Sequence, residues 1–568
     1  MTIANDHAGM TEAAPSEARP EAGVRSAAVL AYHRRTKHRR DGYAAGPETL
    51  DWDAQPSPYR HFAGAPITPL PLVSDSIPAP FAAITGQAQV SPAVPDIQGV
   101  AALLELAFGL AAIKEYGPDR WALRCNPSSG NLHPTEAYVL ACGIAGLPDG
   151  LHHYRPEDHV LEQRCAARLS RSGLWIGLSS IQWREAWKYG ERAFRYCQLD
   201  AGHALGAIAA ACAAIGWRAG PVSGANYQVI ADLLGLGREQ DFGRTEREEP
   251  EVLVHIETLP QASRTDGDGA PAYSGDADWT GFANLLDPRP MYRWPVIDEA
   301  AAASRGDMQA PELHGCAPQV PAPPKRAAEV ILGRRSAQRY ARDHIMPQAD
   351  FRRLLASAAG LGREAGLNFL AFVHNVEGLP RGLYGLCPDP RTGAAFRAAL
   401  DGRMAWQDVP GIPEVSAFKL LAEGDFRKAV RAISCHQAIA ADASVLFSML
   451  GGLGDRVRSD PSRYRLLHWQ AGLIGQRLYL EAEALGHSGT GIGCFLDDEL
   501  HELVGLRDDT FQVLYQFAVG RGVTDSRIIG QSAYPGRSRM EAGIEALDQG
   551  KDETGSGETG SGQVSARG

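Results

Sequence analysis

The sequence predicts an α+β protein built from two copies of one module in a single chain. Three observations carry this. Two strand-like runs, "EAYVLACGIAGLPDGLHHY" at 136–154 and "NFLAFVHNVEGLPRGLYGL" at 368–386, share the hairpin signal GLP-x-GL after alternating apolar residues. Each is followed by a long helical stretch, "GHALGAIAAACAAIGW" at 202–217 and "WQAGLIGQRLYLEAEALGH" at 469–487. Each half then closes on a short helix ending in LLGL or LVGL and a strand, "EVLVHIE" or "VLYQFAVG". A recurring order of helix, hairpin, long helix and strand is most economically one module used twice.

Length agrees with this division. At 568 residues the chain exceeds one ordinary core, and two domains of about 200–250 residues are expected. Residues 1–24 are polar, acidic and Ala/Pro-rich, and 537–568 ends in "DETGSGETGSGQVSARG", with too few apolar side chains to offset ordering entropy; both are expected to be disordered. The modules are placed at 25–258 and 324–530. Between them 259–323 reads as a linker from its Pro, Gly and Asp content.

Charge and cysteines exclude several classes. A net charge of -11 leaves "YHRRTKHRR" at 32–40 as the one concentrated basic stretch, so no nucleic-acid partner is expected. The nine cysteines are an odd number without a CxxC pair, which argues against a disulfide framework and a zinc site and fits a reducing cytoplasm. The longest apolar runs, 101–113 and 204–217, fall short of the about 20 residues that span a bilayer.

Four stretches carry polar chemistry. "GRRSAQRY" at 333–340 offers Arg334, Arg335 and Ser336, guanidinium forks and a hydroxyl of the kind a phosphate needs; alone, the run is a solvated basic helix end. "PSSGN" at 127–131 presents Ser128, Ser129 and Asn131 around Gly130, and alone it is a turn. The glycine run in "GHSGTGIGCF" at 486–495 permits close backbone approach, and a Gly-capped helix end explains Gly486 but not the rest. Lys188 and Tyr189 in "WKYGERAFRY" read alone as a surface lysine beside a packing tyrosine. His203, Cys125 and Cys494 read as core residues.

In combination these residues change meaning. Arg-Arg-Ser, "PSSGNLHPTEAYV", "WKYGERAFRYCQLDAGH", "GTGIGCF" and the N-terminal "YHRRTKH" resemble the FMN-dependent nitroreductase superfamily, and more narrowly its SagB/ThcOx branch, which includes peptide azoline dehydrogenases. The resemblance spans nearly all of 25–530. It implies two nitroreductase-like modules fused as a pseudo-dimer, with a flavin held between them. The phosphate would lie on Arg334, Arg335, Ser336 and the late Arg521, with Arg527 a weaker candidate and Gln338 standing where a basic residue is common. Ser128, Ser129 and Asn131 would line the flavin from the other module, with Gly491, Gly493 and Cys494 at its ring. Lys188 would remove a carbon-bound proton and Tyr189 would orient substrate or relay the proton.

Each motif occurs once, so the resemblance implies one FMN per chain, with Arg34, Arg35, Thr36 and His38 as a vestigial phosphate grip. The implied activity is two-electron dehydrogenation of an azoline or related heterocycle in a peptide or natural product. Two alternatives stay open: an NAD(P)H-dependent nitro, quinone or ene reductase, and a scaffold that keeps the fold without turnover. Expected partners are a peptide or small-molecule substrate and biosynthetic proteins, and the fused dimer is expected to be monomeric.

Overall fold

The computed structural model describes residues 18–258, 269–308, 310–315 and 317–536. The expected disordered stretches at 1–17 and 537–568 lie outside these, whereas 18–24 open a helix, Ala18–Arg35.

Two large antiparallel sheets repeat the same plan. The first orders its strands Tyr273–Trp279, Val160–Leu169, Gly150–Arg155, Thr135–Cys142, Gly173–Ser180, Glu249–Glu257 and Arg218–Pro221. The second orders them Gln407–Asp408, Phe418–Glu423, Gly382–Leu386, Asn368–Val373, Val445–Gly451, Gln512–Gly520 and Ser488–Ile492. Apart from the edge strands Tyr273–Trp279 and Gln407–Asp408, which enter at different points of the chain, and Ile67–Pro69, which pairs with Val160–Leu169 in the first sheet alone, the two agree. The GLP-x-GL runs form the hairpin Thr135–Cys142/Gly150–Arg155 and its partner Asn368–Val373/Gly382–Leu386. Thr135–Cys142 and Val445–Gly451 are buried at every residue, because helices cover one face and loops or helices the other.

The long helices Ala193–Ala214 and Arg463–Ala484 pack against one another at the centre of the molecule. Glycine permits this contact. A Cβ on Gly472 would lie 2.1 Å from the Leu199 carbonyl oxygen, and one on Gly202 would lie 2.3 Å from that of Trp469. Reciprocal contacts of this kind define a pseudo-two-fold axis. The same axis appears where Phe81 N donates to Lys325 O at 2.7 Å and Ala327 N donates to Ala79 O at 2.8 Å.

The axis corrects one sequence expectation. Helix Ala327–Gly333, which leads into Arg334-Arg335-Ser336, has as its counterpart Phe81–Ile84, and the segment that follows, Thr85 to Val90, carries no arginine. Arg34, Arg35, Thr36 and His38 are therefore not a degenerate phosphate grip. The basic stretch docks on an acidic helix start in the other module: Lys37 pairs with Asp498 at 2.7 Å, Arg39 with Asp498 at 3.2 Å and Arg40 with Glu499 at 3.7 Å. Arg35 pairs with Glu191 at 2.6 Å, and the Thr36 carbonyl accepts from Arg192, which also holds the buried Asp497. Arg34 is exposed.

The stretch expected as a linker also carries structure. Tyr273–Trp279 extends the first sheet beyond Val160–Leu169, and helix Pro295–Ala303 lies beside the N-terminal helix, where Arg25 Nε donates to Ala303 O at 3.1 Å. At the chain's other end, Ile529–Gln531 crosses back to pair with Leu110–Tyr116, which pairs in turn with Asp119–Arg124. This small three-stranded sheet draws on both modules. Among the described residues no helix is long and apolar enough to cross a membrane.

Candidate functional site

Helix Gln182–Tyr189 brings Lys188 and Tyr189 to its last turn and stops at Gly190, whose φ is 55°. Just below it lies the PSSGN turn. Gly130 has φ 61° and Asn131 φ 60°, the left-handed conformation that glycine adopts freely and asparagine tolerates. Contact as well as conformation excludes a side chain at Gly130: its Cβ would meet the Tyr189 hydroxyl at 2.7 Å and Lys188 Nζ at 3.1 Å. The turn and the Lys-Tyr pair are thus in direct contact.

Arg334, from the second module, reaches the same turn. Its Nε donates to Cys125 O at 3.2 Å and its Nη2 to Arg124 O at 3.0 Å, the residues that lead into Pro127. The guanidinium lies 5.1 Å from the Tyr479 ring centre. Arg335 Nη1 donates to the Leu332 and Arg334 carbonyls, and its Nη2 to Ala111 O at 3.2 Å. Ser336 Oγ and Tyr479 Oη are 3.0 Å apart, and Tyr479 Oη accepts from Gly491 N at 2.9 Å. Arg-Arg-Ser follows the C-terminal end of Ala327–Gly333, so an anion there draws on the guanidiniums and gains nothing from that helix dipole.

These segments enclose a cavity of about 340 Å³ between the modules, a volume typical of small-molecule sites. Its lining includes Ser128, Ser129, Asn131, Tyr189, Arg334, Arg335, Ser336, Gln338, Gly491, Gly493 and Cys494. Lys188 stands at its edge against Gly130, with Nζ 5.5 Å from the exposed Trp52 ring. Arg521 is exposed and does not line the cavity; its carbonyl accepts from Ala341 N. Arg527 pairs with Asp525 at 2.7 Å on the surface. His203 is buried in the floor, its Nε2 2.9 Å from Tyr515 Oη, and burial pushes its pKa down to about 3, so it is neutral.

The sequence reading missed several lining groups. Lys114, Trp121 and Arg124 come from the small three-stranded sheet. Lys114, Arg124, Arg334 and Arg335 give the cavity a cationic end, and among the described residues none of the four has a carboxylate at ion-pair distance. Burial lowers the pKa of Arg334 and Arg335, and in Arg335 the charge of its neighbour adds to this. Such a cluster favours an anionic ligand. Asn126 Oδ1 is buried in the wall without a hydrogen-bond partner among the described residues, an acceptor left for a donating ligand.

Asp200 is the other residue missed, and it takes the serine hydroxyls. Ser128 Oγ donates to it at 2.6 Å, and Ser129 donates through N at 3.1 Å and Oγ at 3.0 Å. A lone aspartate inside a helix of small apolar residues was the available signal. Burial pushes its pKa from 3.8 up to about 7, against the serine hydrogen bonds that lower it. The folded state therefore holds a proton that the unfolded chain releases. The stability this contributes is complete below the unfolded value near 3.8 and is lost as pH rises to about 7. Asp200→Asn, neutral at every pH, is expected to match the parent near pH 4 and exceed it at pH 8 by on the order of 2–4 kcal/mol. Urea unfolding at the two pH values reads this difference, and an equal gap at both would contradict it.

The axis also locates the counterpart of this cavity. The positions related to Asp200 and His203 are Gln470 and Leu473; with Glu312, Leu361 and Glu364 they line a remnant of about 10 Å³. The supposed linker fills it. Leu313 is buried, His314 is bonded to Ala219 O at 3.0 Å, and Gly315 packs on Leu361. Gln87, in the segment that replaces Arg-Arg-Ser, donates to Pro318 O at 2.8 Å and Val320 O at 2.9 Å. One of the two pseudo-equivalent sites is open, and the chain itself closes the other.

The nitroreductase family model matches residues 92–242 and 416–521. Each module therefore holds a segment that matches this family model. A solved structure from Anabaena variabilis, provisionally named a nitroreductase, aligns over 87% of this chain and 99% of its own with a TM-score of 0.64 and 21% identity, a likeness of fold. A provisionally named nitroreductase of Methanocaldococcus jannaschii is 28% identical over 99 residues, 15% of this chain and 50% of that protein. The chain thus matches about half the length of that curated relative. The E. coli microcin synthetase complex aligns over 34% of this chain and 70% of its own, with 14% identity and a TM-score of 0.26. The nitroreductase fold in two segments accounts for the repeated sheets and for a cavity between them.

Proposed function

We propose that the cavity binds one FMN per chain and that the protein catalyses two-electron dehydrogenation of an azoline or related heterocycle in a peptide or natural product. The observation that carries the reading is the half-buried Lys188 and Tyr189 in contact with the wall of a cavity whose lining also holds a cationic cluster without carboxylate partners among the described residues. The donor set fits the cofactor: Arg334, Arg335, Arg124 and Lys114 suit its phosphate, Asn126 Oδ1 and the Gly491–Gly493 backbone suit its polar ring edge, and His203 is uncharged. When bound, FMN supplies the two-electron acceptor.

Burial lowers the pKa of Lys188, and the nearby Glu185 opposes this. The amine is therefore a better base near neutral pH than a solvated lysine. It takes the proton from a ring carbon of the heterocycle, while Tyr189, held against Gly130 and Tyr196, orients the substrate. Burial holds Tyr189 well above the usual phenol range, so it remains a hydrogen-bond donor. The proposed substrate is small or peptidic, it reaches the cavity with the help of biosynthetic partner proteins, and the fused chain works as a monomer.

Titration of purified protein with FMN, followed by flavin fluorescence quenching, tests the first half. One equivalent per chain is expected, since the related site is filled by 310–315 and 317–320. Two equivalents, or none, would sink the reading.

A further inference from the structure

Cys435 and Cys494 are not used by the proposed reaction. Cys494 closes the glycine run at the cavity wall, and Cys435 lies in the turn after helix Arg427–Ile433. Their sulfur atoms are 2.7 Å apart, inside ordinary contact and beyond the about 2.05 Å of a covalent disulfide. Both are partly exposed, whereas Cys125, Cys142, Cys165, Cys197 and Cys212 are buried.

The turn that presents Cys435 is strained. Cys435 and His436 both have left-handed backbones, with φ 51° and 61°. Histidine enters this conformation more readily than most residues but cysteine does not, and such a pair persists where the surroundings enforce it. Gln437 ties the turn to its partner by donating to the Cys494 carbonyl at 3.2 Å. The His38 ring lies beside Cys494, and the cationic Arg192 donates to the neighbouring Gly493 carbonyl at 3.1 Å. The hydrogen bond between the two sulfurs, with His38 and Arg192, holds the Cys494 thiol below the ordinary range against its burial, which makes it the better thiolate of the pair.

We propose that Cys435 and Cys494 form a thiol–disulfide exchange site that closes reversibly on small disulfides of the glutathione type. The Cys494 thiolate attacks one sulfur of the small disulfide, breaking its S–S bond and releasing one thiolate. The Cys435 thiol loses its proton and attacks Cys494 in the mixed disulfide, releasing the second. Two protein thiols and one small disulfide thus become one protein disulfide and two small thiols, and an excess of small dithiol reverses the exchange. No flavin takes part, so the inference stands or falls apart from the cofactor reading. Closure would fasten the 434–437 turn to the cavity wall.

Full-length protein is reduced, freed of reductant, equilibrated with mixtures of oxidised and reduced glutathione, alkylated and mapped by mass spectrometry. A Cys435–Cys494 cross-linked peptide is expected, its fraction rising with the oxidised share and lost on adding dithiothreitol, while the five buried cysteines stay unmodified. Cys435→Ser is expected to trap Cys494 as its glutathione adduct. Cys494→Ser is expected to slow modification of Cys435 at least tenfold. Recovery of both cysteines as alkylated free thiols at every ratio, in protein with an unchanged circular dichroism spectrum, would overturn the proposal. If Cys494→Ser does not fold, absence of the adduct in Cys435→Ser overturns it equally.

Discussion

Lys188→Ala is expected to slow heterocycle oxidation by about 10²–10⁴-fold, the usual worth of a positioned general base, while FMN binding stays within a few-fold of the parent. The two effects separate because Lys188 stands against Gly130 and does not itself line the cavity, whereas Lys114, Arg334 and Arg335 do. Lys188→Arg keeps the charge but removes the base, so it is expected to fail as Ala does, which rules out a purely electrostatic role. In the parent, activity is expected to rise with pH through a value below that of a free lysine, because burial favours the neutral amine that accepts the proton. Steady-state kcat against pH, with flavin content measured in parallel, reads both. Unchanged kcat in Lys188→Ala would remove the residue from the reaction.

Gly472→Ala carries the largest expected effect on stability. The added Cβ would sit 2.1 Å from the Leu199 carbonyl oxygen and 2.9 Å from Gly202 Cα. Both are backbone atoms, so no side-chain rotation relieves the clash, and the two long helices must separate. Loss of about 4 kcal/mol or more is expected, with loss of the cavity that the helices support. Gly237→Ala, where nothing lies within 4 Å and φ is not in the left-handed region, is the control and is expected to stay within about 0.5 kcal/mol of the parent. Urea denaturation gives both values. A Gly472→Ala protein as stable as the control would mean that the helices do not meet as described.

Much of this architecture was legible because the module is written twice. The GLP-x-GL hairpins, the two long helices and the closing strands fall where their periodicity places them. The site was legible in part. Ser128, Ser129, Asn131, Arg334, Arg335, Gly491 and Gly493 sit in short runs of unusual composition, and those runs converge. Lys114 and Asn126 do not announce themselves, and Asp200 does so only as a lone aspartate in its helix, because what makes each one matter is burial or the lack of a partner, which only tertiary packing decides. The vestigial phosphate grip expected at Arg34, Arg35, Thr36 and His38 failed for the opposite reason: a local likeness of charge outweighed position in the fold, and the axis relates Arg-Arg-Ser to a stretch without arginine. A Pro/Gly-rich composition likewise marked 259–323 as a linker, yet part of it fills a site. Composition reports how stiff a segment is but not what lies beneath it.

The central claim is that electrons enter from a heterocycle at the Lys188 side of the cavity. Anaerobic mixing of the FMN-loaded protein with a thiazoline- or oxazoline-containing peptide, monitored at the flavin absorbance band, tests it most directly. Bleaching by the azoline, with formation of the azole and a rate at least a hundredfold lower in Lys188→Ala, is the result expected. Bleaching by NAD(P)H but by no azoline would contradict it and assign the protein to the reductases.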